Sequence, residues 1–497
     1  MTDAGGVLFG AGFRPEVAET HSGLVVLVGD LAYKVKKPIV TDFLDFSTVA
    51  SREAACAHEV MLNSRLAADS YLGVGHFDPP QGGAPEPVIV MRRHPDDRRL
   101  ATMVRRGDDD VAGQLAAIAA ILARFHAGAH RGREVDDQAR IEAVGERWRE
   151  NLAELARYGA GAVPGLDPDG VADIERRVGD FLAGRAVLFA RRIDEGRIVD
   201  GHADLLADDI FCLSEGPALL DCLEFDDRLR YVDAIDDAGF LAMDLEFLGH
   251  PELGAAFLGE YASLAGDDAP ESLRHFYIAY RAVVRAKVEC VRYTQGHAAA
   301  AAEAAAHLRI AGEHLRAGAV RLIMVGGGPG TGKTTLARAL AGHLGGRLIS
   351  TDDVRADMAA RGEISGSPGV LSEGLYTPEN VDTVYASVLR QAHQSLCEGH
   401  TVILDGTWLD PDQRDRARRV AAEAAAPLVE LVCAAPLQAS VARIRSRTHT
   451  TSQVTPEIAA ALAERDQYGW PGAHRIDTTA DPVESVAAAL DICRTAR

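Results

Sequence analysis

The chain has 497 residues, 47% of them apolar and 25% charged, the composition of a folded protein too long for one ordinary core. Its net charge of −21 creates a field that repels phosphate-rich polymers, so small molecules rather than nucleic acid are the expected partners. No uncharged apolar run approaches the roughly 18 residues of a membrane span, and the opening Met1-Thr2-Asp3-Ala4-Gly5-Gly6 lacks the basic-then-apolar pattern of a signal peptide.

The seven cysteines are scattered, odd in number and without a C-x-x-C pair. That argues against a disulfide framework or zinc site and suits a reducing cytoplasm. The 17 histidines show no metal-ligand spacing.

In chain order, residues 19–28 and 31–37 read as β-rich runs joined by a tight turn at Gly29-Asp30. Residues 51–67 read as a helix, 78–85 as a surface loop and 87–91 as a further strand. From about 110 to 310 the pattern is mostly helical, interrupted by a motif-bearing stretch near 199–225. The alanine-rich segment 298–315 suits a helix leading to the last domain. From 320 onward strands alternate with helices, which predicts a parallel sheet.

Two dense motifs carry chemistry. The first is Gly201-His202-Ala203-Asp204, followed by Asp208-Asp209 and by a strand ending in Asp221. A kinase catalytic loop has this form: Asp204 would orient or deprotonate an acceptor hydroxyl, and Asp221 would hold Mg²⁺. Lys34 falls where such kinases keep the phosphate-binding lysine. Lys36 lies on the same strand face and is a rival. Glu59, in the next helix, is the candidate partner.

This half resembles the aminoglycoside phosphotransferase family, over about residues 15–290. The resemblance implies a bilobal, protein-kinase-like fold, with Asp244 matching a later structural aspartate. Ala203 replaces the family's glycine, and Asp209 stands where the asparagine for a second metal is expected. The usual glycine-rich loop is missing, with only Thr20-His21-Ser22-Gly23 in its place. A kinase-shaped domain that binds without catalysing is the other reading of these residues. Tyr277, Tyr280, Arg281, Arg285 and Lys287 recur at helical spacing and read as a packed helix with a basic edge.

The second motif is Gly327-Gly328-Pro329-Gly330-Thr331-Gly332-Lys333-Thr334, a phosphate-binding loop preceded by an apolar strand and followed by a helix opening with Thr335. Glycines let backbone N–H groups turn inward, Lys333 reaches β/γ-phosphates and Thr334 holds Mg²⁺. The next strand ends in Asp352-Asp353-Val354-Arg355. A carboxylate there can take an acceptor's proton and the arginine can hold a substrate; helix capping is the plainer role for the aspartates. Residues 401–404 lead into Asp405, a Walker B pattern that coordinates Mg²⁺. Arg414 faces either substrate or solvent. Arg443 and Arg447 share a helix face before a polar stretch at 448–453. They read as an ATP-closing lid or as an exposed basic helix.

These features resemble the P-loop kinases related to phage polynucleotide kinase, gluconate kinase and zeta toxins. The resemblance implies Asp352 as base and Arg355 as substrate ligand. The expected architecture is therefore mixed α/β and α+β. A kinase-like domain at 1–315 (small lobe about 1–100, helical large lobe about 101–315) precedes a P-loop domain at 316–497. The expected function is phosphoryl transfer from MgATP to a small hydroxylated molecule. The rival is a nucleotide switch or simple ATPase with a ligand-sensing N-terminal half. A switch has no need of an acceptor base such as Asp352 or of Arg355.

Overall fold

The computed structural model describes residues 16–19, 23–40, 45–78, 82–159, 161–367, 373–446, 469–479 and 481–495. The small lobe is an antiparallel five-stranded sheet in the order β1-β2-β3-β5-β4. Its strands are β1 (Glu16–Glu19), β2 (Gly23–Val28), β3 (Leu31–Lys36), β4 (Tyr71–Phe77) and β5 (Glu86–Arg92). Gly29 makes the β2–β3 turn at φ 59°, a conformation glycine adopts freely. Helix α1 (Val49–Ala67) starts at a capping box, in which Thr48 and Ser51 satisfy each other's backbone N–H. It turns Cys56, Glu59, Leu62 and Asn63 inward.

Helices α2 (Leu100–Arg106), α3 (Val111–Gly128), α4 (Arg133–Asp136), α5 (Ile141–Tyr158), α6 (Pro168–Gly184) and α7 (Ala186–Asp194) open the large lobe. By length and composition α3 could cross a membrane, but it carries Arg124 and buries Leu115, Ile118, Ala119 and Leu122 in the core. Two short ribbons follow. β6 (Ile198–Asp200) pairs with β9 (Tyr231–Asp233), and β7 (Ile210–Leu213) pairs with β8 (Gly216–Leu219). The loop between β6 and β7 carries the His202-Ala203-Asp204 motif. Helices α8 (Ala234–Phe247), α9 (Pro251–Leu264), α10 (Glu271–Thr294) and α11 (Ala300–Ala317) complete this half.

The second sheet has the order β11-β12-β10-β13-β14, with every paired strand parallel. Its elements alternate as β10 (Leu322–Gly326), α12 (Lys333–Leu344), β11 (Arg347–Ser350), α13 (Thr351–Ala360), α14 (Pro378–Cys397), β12 (Val402–Asp405), α15 (Pro411–Glu423), β13 (Leu428–Ala434), α16 (Leu437–Ser446), β14 (His474–Asp477) and α17 (Pro482–Thr495). Strands β10 and β12 are buried end to end, as continuous apolar runs in a two-sided parallel sheet should be. All seven cysteines are unpaired.

The N-terminal half packs against the amino ends of the parallel strands. Arg185 Nη1 donates to the Ala424 carbonyl at 2.8 Å, and Ser272 Oγ donates to the Gly399 carbonyl at 2.6 Å. Ala424 precedes β13 and Gly399 precedes β12. One apolar cluster runs unbroken from Leu188 and Phe189 through Leu273 and Val320 to Leu396 and Val402.

Gly184 is held at this seam by space, since a Cβ there would lie 2.1 Å from the Ala424 carbonyl oxygen. Gly184→Ala should therefore destabilise the full chain by about 1–3 kcal/mol. Gly179, on the exposed side of the same helix, has nothing within 4 Å of its would-be Cβ. Gly179→Ala should stabilise by about 0.5–1 kcal/mol. Paired denaturant melts of the two variants check both signs.

Candidate active sites

The phosphate loop joins β10 to α12. Gly327, Gly330 and Gly332 have φ of 127°, 76° and 91°, which L side chains rarely adopt. Space adds a second constraint. A Cβ on Gly327 would lie 2.5 Å from the Cys433 carbonyl oxygen, and one on Gly330 would lie 2.5 Å from that of Ser440. The loop thus sits at the N-terminus of α12, where unpaired N–H groups and the helix dipole favour anions. Lys333 Nζ donates to the Gly328 carbonyl at 2.9 Å, and Thr331 Oγ1 donates to the same oxygen at 2.7 Å. Thr478 Oγ1 donates to the Thr331 carbonyl at 2.6 Å, and Arg443 Nη2 donates to that of Thr478 at 2.6 Å. Arg443 is thereby drawn against the loop. Arg447 and the polar stretch at 448–453 lie outside the described residues.

β12 lies beside β10 with Asp405 level with Val325, so Asp405 meets the loop's first helical turn. Thr334 Oγ1 donates to Asp405 Oδ2 at 2.7 Å. Burial raises the Asp405 carboxyl, against the lowering effect of Thr334 and Lys333. A hydroxyl and a carboxylate oxygen at this point are the hard donors that Mg²⁺ takes.

At the end of β11 the helix cap is Ser350, whose side chain accepts from the Asp352 and Asp353 N–H groups. This corrects the capping role considered for the aspartates. Asp352 Oδ1 instead accepts from Arg355 Nη1 at 2.7 Å, and the Arg355 guanidinium lies 4.6 Å from the Tyr376 ring centroid. Tyr385 Oη lies 3.4 Å from Thr407 Oγ1, and its ring meets Trp408 edge-on at 4.9 Å. Trp408 is buried in the left-handed region, at φ 51°. Arg414 Nη1 donates to the Trp408 carbonyl at 2.8 Å, and the guanidinium covers the Trp470 ring at 5.3 Å. Arg414 therefore braces the turn after β12 and is not a solvated helix charge. Sequence reasoning singled out neither tryptophan; the adjacency of Gly406-Thr407-Trp408 to Asp405 was the available signal.

In the N-terminal half, Lys34 Nζ lies 2.8 Å from Glu59 Oε1 and 2.7 Å from Asp221 Oδ1. Burial disfavours the Lys34 charge, yet Asp221, Glu59 and Glu224 outweigh it and raise its pKa. Lys34 in turn lowers Asp221. Burial pushes the Asp204 carboxyl up to about 6. Asp209 is raised well above the ordinary range, first by burial and then by Asp221 and Asp204, the electrostatic consequence of a carboxylate at the asparagine position. Arg281 pairs with Asp236 through bonds of 2.7 and 2.8 Å and donates to the Ala203 carbonyl at 3.1 Å. It supports the loop from below, in keeping with the packed-helix reading of α10.

The loop's shape depends on Asp237, which the sequence reading did not single out. Its carboxylate accepts from the His202 and Ala203 N–H groups, each at 2.7 Å, and lies 3.0 Å from His126 Nε2. Ala203 has φ 67°, which explains why a glycine suits this position. Asp244 accepts from the Ala207 N–H at 2.8 Å, a structural contact on the same segment.

Burial would raise Asp237, but the His126 bond and the backbone donors hold it well below the usual carboxylate range. A depressed folded pKa gives stability that is present above the unfolded value of about 4 and lost as pH falls through the folded value. Asp237→Asn should cost about 3 kcal/mol at neutral pH. The difference from wild type should shrink below about pH 4 in denaturant melts run across pH.

An AAA domain family model matches residues 322–467. Across 481 residues the chain is 56% identical to the Mycobacterium tuberculosis "Uncharacterized protein Rv2004c", covering 97% of this chain and 96% of that one. A Mycobacterium bovis protein, "Uncharacterized protein Mb2027c", matches with the same figures. Among solved structures, a Sinorhizobium meliloti gluconokinase is 19% identical over 35% of this chain and 91% of its own, with a TM-score of 0.28. A Cryptosporidium parvum choline kinase is 8% identical over 61% of this chain and 88% of its own, with a TM-score of 0.40. The chain belongs to the family of these mycobacterial proteins, and its C-terminal half carries a phosphate loop within the stretch that matches the AAA domain model.

Proposed function

We propose that the chain is an ATP-dependent phosphotransferase in which the P-loop half, from about residue 316, transfers the γ-phosphoryl of MgATP to a hydroxyl of a small molecule. The observation that carries this reading is the Asp352–Arg355 pair at the end of β11, on the same edge of the sheet as Lys333, Thr334 and Asp405. In an open α/β sheet that edge is where ligands bind. Asp352 takes the acceptor proton as the new P–O bond forms, and Arg355 orients the acceptor. ADP leaves with the electrons of the broken bond. Lys333 and Arg443 face the charge spread over the transferring group. Thr334 and Asp405 hold Mg²⁺, which supplies charge neutralisation on the phosphates when bound. The seven unpaired cysteines support a reducing compartment, the cytoplasm.

For the N-terminal half, about 1–315, we propose a second small-molecule kinase site. Asp204 is its base, Lys34 with Glu59 its phosphate-binding pair, and Asp221 and Asp209 its Mg²⁺ ligands. One observation favours a second reading, ligand binding without turnover: Asp209 adds a carboxylate beside Asp204 and Asp221.

Lys333→Ala should abolish turnover at the P-loop site while leaving the melting transition intact. Asp352→Asn and Arg355→Met should each lower acceptor phosphorylation by about 10²–10⁴-fold. Nucleotide affinity should change little in either variant. Steady-state kinetics with a panel of sugars, sugar acids, polyols, aminoglycosides and nucleosides, alongside nucleotide titrations, separates the two effects. Full acceptor turnover in Asp352→Asn would remove that residue from the mechanism. If N-terminal turnover uses Asp204, its acid limb should fall near pH 6, because a raised carboxyl loses its charge as pH drops through that value.

A further inference from the structure

We infer that Lys36 and Glu224 form the positioning pair of the N-terminal site, fixing Lys34, Glu59 and Asp221, the groups assigned above to the nucleotide phosphates and their Mg²⁺. The inference rests on reading that site as nucleotide-binding. Strand alternation puts Lys34 and Lys36 on one face of β3, and the structure gives them different tasks. Lys34 retains some exposure, at 12% of its side chain, and meets Glu59 and Asp221. Lys36 has a fully buried side chain. Its Nζ lies 2.5 Å from Glu59 Oε2 and 2.5 Å from Glu224 Oε1.

Glu59 therefore gives one carboxylate oxygen to each lysine. Each lysine gives its second contact to the segment after β8, Lys34 to Asp221 and Lys36 to Glu224. Two lysines and three carboxylates thus tie together β3, α1 and the segment that carries Asp221. The segment is tied to α1 a second time, through the Cys222 N–H donating to Asn63 Oδ1 at 2.8 Å. Its backbone is further fixed by Arg230 Nη1 donating to the Leu223 carbonyl at 3.0 Å.

Lys36 is shut away from any ligand, so it acts through others. It holds Glu59 so that the other oxygen faces Lys34, and through Glu224 it sets the distance between the lobes at Asp221. Burial disfavours the Lys36 charge, and Glu59 and Glu224 more than offset this. It stays an ammonium, as the bridge requires.

The test uses the full chain carrying Lys333→Ala, so that the P-loop site is silent, with MgADP as the probe. Lys36→Met combined with Glu224→Leu removes the pair together and leaves no lone buried charge. Glu224→Gln covers the case in which the double variant fails to fold. The expected result is MgADP binding weakened at least tenfold with a melting temperature close to that of the parent. Glu224→Asp should recover part of the affinity, and Lys36→Met alone should be the worst. Unchanged MgADP affinity in the folded double variant or in Glu224→Gln overturns the inference while leaving the nucleotide-site reading standing. No MgADP binding by the Lys333→Ala parent itself overturns the nucleotide-site reading, and the inference with it.

Discussion

The polarity of the parallel sheet is the constraint on which the rest of the structure depends. Because all its strands point one way, their carboxyl ends collect the turns that open toward ligand and their amino ends are left for packing. The phosphate loop, Asp352, Asp405 and Trp408 follow or end strands on the first edge. Ala424, Gly399 and Val320 precede strands on the second edge, and they meet the N-terminal half. Chemistry and docking are thus divided between the two edges of one sheet.

The described part of the N-terminal site is organised by charge: a ladder of lysines and carboxylates links the lobes, from Lys36 through Glu59 to Lys34 and Asp221, while residues 20–22 of the Thr20–Gly23 segment lie outside the described residues. Buried ion pairs of this kind add little net stability over apolar packing, but losing one partner leaves a costly lone charge. They fix geometry more than they add stability. Asp237 does the same for the His202–Asp204 loop, replacing what sequence alone would ask of a glycine at position 203.

Much of this was legible in the chain because it is local. The phosphate loop, the Walker B strand and the His202–Asp204 loop are short patterns whose spacing is their geometry. The parallel sheet of the C-terminal half followed from the alternation of strand and helical periodicity, whereas the bilobal form of the N-terminal half was an expectation that only the motif resemblance implied. What stayed hidden depends on distance or weak local signal. Strand β4 carries Gly73 and Gly75, which dilute its β pattern, and β14 is only four residues long. Lys36 and Glu224 are 188 residues apart, so no spacing could pair them. The rivalry between Lys34 and Lys36 had no local resolution because both lie on one strand face; the distant partners Asp221 and Glu224, and the full burial of Lys36, tell them apart. Trp408 shapes the turn after Asp405 through its backbone conformation and its contact with Arg414, neither of which has a local sequence signature.

The central claim is that the P-loop edge hands phosphate to an organic hydroxyl rather than to water. The most direct measurement is the fate of label from γ-labelled ATP when the full chain is incubated with pooled hydroxylated metabolites. The account predicts a labelled phosphomonoester whose formation requires Lys333 and falls sharply in Asp352→Asn. Label recovered only as inorganic phosphate, at a rate unaffected by the pool or by Asp352→Asn, would contradict it.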